Sequence, residues 1–226
     1  MNSKRYPTDL SEDEWRCLSP HLPQPTGQGR PRIHSLRAIL DAVFYVLRSG
    51  CPWRLLPKNF PPWKTVYDCF SRWRIDGTWE RLNAELRELL RVRLGRDPHP
   101  SAAIVDSQSA RTTGVGGTER GFDPAKKVEG TKRHLLVDTE GLVLKAKVHS
   151  AEVPDEDGIR LLLDPARHRL RRLRHLWVDA GYQGRGRRWA EEVLGLSVEV
   201  VRKPKRLSPR RWLSAGLRSG SRRAKG

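Results

Sequence analysis

Apolar residues in the first 95 positions recur at the three- and four-residue spacing that is typical of amphipathic helices. The clearest stripe starts at Leu36 and stops at Gly50, a residue type that often ends helices. A shorter helix is expected before it, because Ser11 and Glu14 have the spacing of a capping box. Two further stripes predict helices at residues 63–75 and about 78–94. This part of the chain is therefore expected to form four short helices.

The hydrophobic pattern changes after residue 101, where short apolar runs replace the helical stripes. The runs predict strands at residues 102–105, 134–137, 142–148, 176–178 and 198–201. Helices are expected between them at residues 154–163 and 187–194. The second and third strands are separated by a turn with Gly141 and are expected to form a hairpin. Strands that alternate with helices in this order predict an α/β domain.

The helical front part has two open interpretations. Three basic residues on its third helix, together with the positive charge of the whole chain, favour a helix-turn-helix-like DNA-binding module. These residues are Lys64, Arg72 and Arg74. The alternative is a small helical bundle that only packs against the rest of the protein. The tryptophans of this part are expected in its core rather than stacked on bases.

The net charge of the chain indicates which class of molecule it binds. Forty-four Lys and Arg residues against 26 Asp and Glu residues give a net charge of +18. A surface this basic attracts polyanions, of which nucleic acid comes first and an anionic membrane second. No apolar run reaches the roughly 20 residues of a membrane span, and no signal peptide is recognisable, so we expect a cytoplasmic protein. The three cysteines are widely spaced and are expected to be reduced packing residues, not a zinc site.

Two aspartates follow predicted strands, and both have a functional and a structural interpretation. Asp106 comes directly after residues 102–105, and Asp179 comes directly after residues 176–178. If the two strands are neighbours, the carboxylates would hold one Mg²⁺ ion and begin a site for a second. The alternative is that each aspartate only begins a turn, as aspartates commonly do. The spacing alone leaves both interpretations open.

The residues around these aspartates resemble a known family. The blocks VDSQSARTTGVGGTERGFDPAKKVEGTKRHLLVDTEGLVL and LWVDAGYQG are similar to the catalytic domain of bacterial insertion-sequence transposases of the DDE class, insertion-sequence-five type. The segment GRPRIHSLRAILDAVFYVLRSGCPWRLLPKNFPPWKTVYDCFSRWRIDGTWERL resembles the helical domain that precedes it there. The likeness extends over about residues 8–212. It implies an α/β fold with an RNase H-like catalytic domain over residues 96–226, preceded by a small all-α helix-turn-helix-like domain over residues 1–95.

The resemblance also implies a reaction, a cofactor and partners. Such transposases cut and join DNA by direct attack of water or a 3′-hydroxyl group on a phosphodiester. They use two Mg²⁺ (or Mn²⁺) ions held by two aspartates and a glutamate, and the aspartates correspond to Asp106 and Asp179. The implied partners are double-stranded DNA, at the element ends and the target, and further copies of the chain as a homo-oligomer. The implied location is the nucleoid of a bacterial cytoplasm, without membrane contact.

Several basic residues are expected to contact DNA phosphates near the site. They are Arg185, Arg187 and Arg188, the cluster Lys126, Lys127, Lys132 and Arg133, and Arg211 in the C-terminal block SPRRW. For the lysine cluster, a solvated charge run without a function is the alternative. Tyr182 and Gln183 either contact DNA or shape the turn after the second aspartate. His149 either faces the site or lies at the edge of the core.

The third acid of the family has no counterpart in this sequence. Counting on from the SPRRW block gives Ala215 at its position, and no Asp or Glu follows Glu199. We therefore expect the C-terminal helix to be incomplete or replaced from about residue 213, through a frame change in the gene. Glu191 and Glu192 could replace the third acid, but we prefer the interpretation that these two residues form a solvent-facing pair.

Two functions from different classes fit these observations. The first is a DNA transposase that catalyses metal-dependent strand cleavage and strand transfer of an insertion sequence, here without the third catalytic acid and therefore impaired. The second is a non-catalytic DNA-binding regulator of transposition that occupies the element ends. A plain RNase H-like nuclease does not account for the helical front domain. A basic ribonucleoprotein component does not account for the two strand-terminal aspartates.

Overall fold

The computed structural model describes residues 6–23, 32–112 and 120–201. The chain divides into two compact units, Met1–His99 and Pro100–Gly226. Within the described ranges, no helix has both the length and the apolar character needed to cross a membrane.

The first unit contains the four predicted helices. They are α1 (Glu12–Leu18), α2 (Leu36–Ser49), α3 (Trp63–Ile75) and α4 (Thr78–Arg93). The capping box at the start of α1 is present, with the Ser11 hydroxyl accepting from the Glu14 backbone and the Glu14 carboxylate accepting from the Ser11 backbone. Gly50 ends α2 in the left-handed conformation, at φ +69°. Local capping signals therefore set these boundaries, as the sequence indicates.

The core of the first unit is built from apolar and aromatic side chains on all four helices. Leu40, Val66, Trp73 and Leu82 are almost fully buried. Trp79 packs edge-on against Trp73 with ring centroids 5.1 Å apart. The expectation that tryptophans serve the core is confirmed at these positions. The cysteines are free as expected, but Cys17 is exposed, so its predicted packing role is wrong.

Over its described residues, the second unit is a six-stranded sheet with two α-helices. Its strands are β1 (Ala102–Arg111), β2 (Gly121–Asp123), β3 (Val128–Asp138), β4 (Val143–Ser150), β5 (His175–Val178) and β6 (Ser197–Val200). The helices are α5 (Asp155–Leu163) and α6 (Arg185–Leu194). The strand order is β2-β3-β1-β5-β6, and β4 pairs with β3. The predicted α/β class, with a helical unit in front of it, is confirmed.

Three strand predictions require correction. The second strand was expected at residues 134–137, but β3 extends from Val128 to Asp138. We expected the first strand to end before Asp106, but β1 continues to Arg111 because β3 pairs with it antiparallel along this whole length. The short strand β2 has no counterpart in the sequence prediction. It exists because its three residues pair with the beginning of β3.

One face of the sheet is buried under α5 and α6. Alternate residues of the central strands point into this core, among them Val105, Leu136 and Val178. From the helices, Ile159 and Ala190 complete it. The alternation leaves the intervening residues of β1 exposed on the opposite face.

Candidate functional site

The structure brings the two predicted aspartates onto neighbouring strands. β1 and β5 pair in parallel, with Val105 opposite Val178. Asp106 and Asp179 each follow one residue later, and both are exposed. Asp179 has extended backbone angles, φ −82° and ψ 176°. Neighbouring strands are about 4.8 Å apart.

Each carboxylate is oriented by one backbone hydrogen bond. The Ser107 amide donates to Asp106 Oδ1 over 2.8 Å, and the Gly181 amide donates to Asp179 Oδ1 over 2.9 Å. In the described part of the chain, no hydrogen bond reaches the other oxygen of either side chain. Two exposed carboxylates with free oxygens suit a hard divalent cation. Across those same residues, no group of three or more acidic, His or Cys side chains has the arrangement of a metal site.

Asp155, at the start of α5, is a third carboxylate near the site that sequence reasoning missed. A methyl group placed on Gly181 would lie 3.1 Å from Asp179 Oδ1 and 3.2 Å from Asp155 Oδ2. Acids are common at the start of helices, where the helix dipole favours them, so nothing in the pattern distinguishes Asp155. Its charge is already balanced, because Lys132 and Lys126 lie 3.1 and 3.8 Å away.

Lys132 is the residue for which the DNA-contact prediction is wrong. Its side chain is only 4% exposed. The ammonium group donates to the Val153 carbonyl over 2.8 Å and lies 3.1 Å from Asp123. It also lies 3.1 Å from Asp155 Oδ1, without the alignment of a hydrogen bond. Lys132 therefore links β2, β3 and α5 inside the protein and presents no charge to a ligand.

The carboxylate of Asp123 is ionised in this network. Burial by itself would raise the pKa of Asp123. Hydrogen bonds from the Ser109 hydroxyl, the Lys126 backbone and Lys132, together with the Lys132 charge, outweigh burial and lower the pKa to about 2. The pair of Asp123 and Lys132 is thus a buried ion pair at neutral pH.

The side chain of Tyr182 anchors the turn after Asp179 in the core of the second unit. It is fully buried, and its hydroxyl lies 2.8 Å from His134 Nδ1. Burial raises the pKa of Tyr182, a hydrogen bond with Ser107 opposes this, and the carboxylates near the turn raise it further. Tyr182 therefore stays neutral. Of the two roles weighed for Tyr182, the structure supports the shaping of the turn.

Two histidines lie beneath the same turn. His134 is fully buried, and its ring packs at a tilt of 30° against His149, with ring centroids 4.8 Å apart. His149 is buried, and its Nδ1 lies 2.7 Å from the Ser150 carbonyl oxygen. This matches the core-edge alternative for His149. Burial first, and the charge of His149 next, lower the pKa of His134 to about 4.

Glycines in the block VDAGYQGRG allow α5 and α6 to approach each other closely. Gly184 has φ +131°, a conformation that side-chain-bearing residues rarely adopt, and the Glu156 carboxylate occupies the space of a side chain. A methyl group on Gly186, in the first turn of α6, would overlap the backbone carbonyl oxygen of Glu156. The close contact fixes the position of the turn that carries Asp179.

The other basic residues predicted to contact DNA differ in their exposure and in their ion pairs. Several are exposed: Lys64, Arg72, Arg74, Lys126, Lys127, Arg133, Arg185 and Arg188. Arg185 forms a weak ion pair with Glu156 at 3.4 Å, and the half-buried Arg187 pairs with Glu191 at 3.0 Å. Glu191 and the exposed Glu192 therefore match the interpretation of a surface pair. Arg211 and Ala215 lie outside the described residues.

Comparisons with known proteins agree over both units. Residues 10–83 match a family described as "Putative transposase of IS4/5 family", and residues 97–220, more than half of the chain, match one described as "Transposase DDE domain". A Burkholderia cepacia protein named "Insertion element IS402 uncharacterized 16.2 kDa protein" is 33% identical over 115 residues, which are 47% of this chain and 76% of that protein. The "Uncharacterized protein y4sN" of Sinorhizobium fredii (strain NBRC 101917 / NGR234) is 31% identical over 103 residues, 45% of this chain and 75% of that protein.

Proposed function

The chain belongs to the transposases with an RNase H-like DDE domain, and we propose that it binds insertion-sequence DNA as a homo-oligomer and holds divalent cations at Asp106 and Asp179. The juxtaposition of these two aspartates carries the proposal. They are 73 residues apart in sequence, yet they follow the paired residues Val105 and Val178 on neighbouring strands.

The donor set fits a hard cation such as Mg²⁺ or Mn²⁺. Both aspartates are exposed, and each has one oxygen that accepts no hydrogen bond within the described residues. When bound, such ions acidify an attacking water or hydroxyl group and stabilise the leaving oxygen of a phosphodiester. The residues of this chain orient the two carboxylates through the amides of Ser107 and Gly181, and they keep the turn in place through Tyr182.

Basic side chains on both units would hold the DNA. In the first unit, Lys64, Arg72 and Arg74 are exposed on α3. In the second unit, the exposed residues Lys126, Lys127, Arg133, Arg185 and Arg188 belong to the same domain as the two aspartates. Contacts of this kind neutralise phosphates, which provides affinity without sequence preference.

We also propose that this chain binds DNA better than it cuts it. The position where the resemblance expects a third acid is occupied by Ala215. Losing one anionic ligand from a two-ion site is expected to slow phosphoryl transfer by orders of magnitude. The same observation favours the second candidate function, a DNA-binding regulator of transposition without catalysis of its own.

Metal binding tests the site. Mn²⁺ affinity would be measured by calorimetry for the wild type, Asp106→Asn and Asp179→Asn, with Asp13→Asn as a matched control. Asp13 is a 90% exposed acid in the other unit. We expect each site variant to bind Mn²⁺ at least about tenfold more weakly, because one of two anionic ligands is lost. Equal affinity in all four proteins would show that the aspartates hold no cation.

A nicking assay tests the proposed lack of catalysis. Duplex DNA containing the element ends would be incubated with the full chain and Mg²⁺. We expect DNA retention without cleavage. Robust cleavage that Asp106→Asn abolishes would instead establish an active enzyme, and an absence of DNA binding at low salt would contradict both candidate functions.

A further inference from the structure

A dense basic segment lies between α5 and β5, outside every site described above. Residues 167–174 read RHRLRRLR, and we call them the arginine segment. All five arginines are exposed: Arg167, Arg169, Arg171, Arg172 and Arg174. This segment has no role in the function proposed so far.

The arginine segment is held on a fixed scaffold. Ala166 and Leu173 are buried in the core of the second unit, and Leu170 packs against it. At its end, the Arg174 amide donates to the Ser101 carbonyl over 2.8 Å, which joins the segment to the start of β1. The guanidinium groups are therefore displayed from a well-anchored backbone.

Four of the five arginines of the segment have no ion-pair partner among the described residues. Among the described residues, no carboxylate lies within ion-pair distance of Arg167, Arg169, Arg171 or Arg174. Arg171 and Arg174 instead donate to backbone carbonyls of the segment itself. This contrasts with Arg185, which pairs with acids at the start of α5. Crowded like charges oppose folding unless a polyanion neutralises them.

The segment lies at the opposite end of β5 from the aspartate site. Arg174 directly precedes the first residue of the strand His175–Val178, and Asp179 directly follows the last. Four strand residues span about 13 Å. The two surfaces are thus separate features of the same unit.

We propose that the arginine segment is a second phosphate-binding surface for double-stranded DNA, separate from the site at Asp106 and Asp179. Guanidinium groups match the geometry of phosphate oxygens and contact them in pairs, and an array of them binds a duplex backbone regardless of sequence. A membrane surface is a poorer match, because the segment exposes no large apolar side chain that could enter lipid. The inference rests on the proposed DNA-binding function.

The test compares two variants that each lose two positive charges. One is Arg167→Gln/Arg171→Gln, and the control is Lys145→Gln/Lys147→Gln on β4. Affinity for a short duplex of arbitrary sequence would be measured between 50 and 300 mM salt. We expect the log–log salt slope of the arginine variant to become shallower by about 0.9 for each phosphate that is no longer neutralised, hence by up to about 1.8. The control is expected to keep the wild-type slope, and both variants are expected to keep the Mn²⁺ affinity of the wild type.

The outcomes separate the two proposals. If the wild type binds duplex DNA but the arginine variant has the same slope, or if the control changes as much, the second surface does not exist. If the arginine variant loses binding to vesicles of anionic lipid while its duplex affinity stays unchanged, the segment serves a membrane and the inference is wrong. If the wild type binds no duplex at all, both the proposed function and the inference of a second surface are wrong.

Discussion

The ammonium group of Lys132 lies 3.1 Å from the carboxylate of Asp155, although both side chains belong to the interior of the second unit. The same ammonium group lies 3.1 Å from Asp123. One lysine thereby joins a strand, its short neighbour and the helix whose first residue borders the turn of Asp179. The positive charge of Lys132, which the sequence suggested for DNA binding, instead holds together the elements around the aspartate site.

Replacing Lys132 is expected to destabilise the fold strongly. Lys132→Met keeps the length of the side chain but leaves the buried carboxylate of Asp123 without its cation, which typically costs about 3–5 kcal/mol in buried ion pairs. Urea denaturation would measure the free energy of unfolding. Lys147→Met, on the exposed part of β4, is the control and should change it by less than about 0.5 kcal/mol. A decrease below about 1 kcal/mol for Lys132→Met would contradict the buried network.

The pKa of His134 predicts a pH dependence of stability. The folded pKa of about 4 lies below the ordinary value of 6.5, because burial disfavours the charged imidazole. The unfolded chain therefore binds a proton before the folded one does, so stability is fully present above pH 6.5 and falls until about pH 4. The loss amounts to about 3 kcal/mol. Denaturation at pH 7 and pH 4.5 should show a smaller difference for His134→Asn than for the wild type.

The control for this measurement is His168→Asn. His168 is exposed in the arginine segment, so its removal should leave the pH dependence unchanged. Comparing slopes rather than absolute stabilities keeps the test valid even if His134→Asn is less stable at every pH. Identical pH profiles for His134→Asn and the wild type would show that His134 titrates normally.

The contact between Gly186 and Glu156 predicts that alanine is not tolerated in the first turn of α6. Alanine normally stabilises a helix relative to glycine by about 1 kcal/mol. Here its methyl group would overlap the Glu156 carbonyl, so Gly186→Ala is expected to destabilise the protein by about 1–3 kcal/mol. Val193→Ala, at a 60% exposed position of the same helix, serves as the control. A stabilising Gly186→Ala substitution would refute the close approach of the two helices.

The basic face of α3 distinguishes a DNA-binding module from a packing bundle. Arg72→Gln/Arg74→Gln should flatten the salt slope of duplex binding by about 0.9 for each phosphate that these arginines neutralise in the wild type. Arg48→Gln/Arg93→Gln removes the same charge from exposed positions of α2 and α4. If both pairs have the same effect, the first unit attracts DNA only through its net charge, as the bundle alternative would have it.

Different parts of the site were predictable to different degrees. Asp106 and Asp179 were singled out because the sequence blocks around them resemble the transposase family, and the parallel register of β1 and β5 then sets them on neighbouring strands. Asp155 could not be found, since acids begin many helices for reasons unrelated to a site. The continuation of β1 to Arg111 was missed because polar strand residues carry no periodic signal, and only the pairing with β3 extends the strand.

By itself, the sequence determined the helical front unit, the α/β order behind it and the two aspartates, because periodicity, capping and residue type are local properties of the chain. Only the tertiary structure decided which charges face solvent and which face one another. Lys126 and Lys132 look alike in sequence, but β3 turns Lys132 into the interior, whereas Lys126 lies in the turn before β3 and stays exposed. The free energy of a charge depends on its burial and its partners, and these are fixed only when distant strands and helices come together.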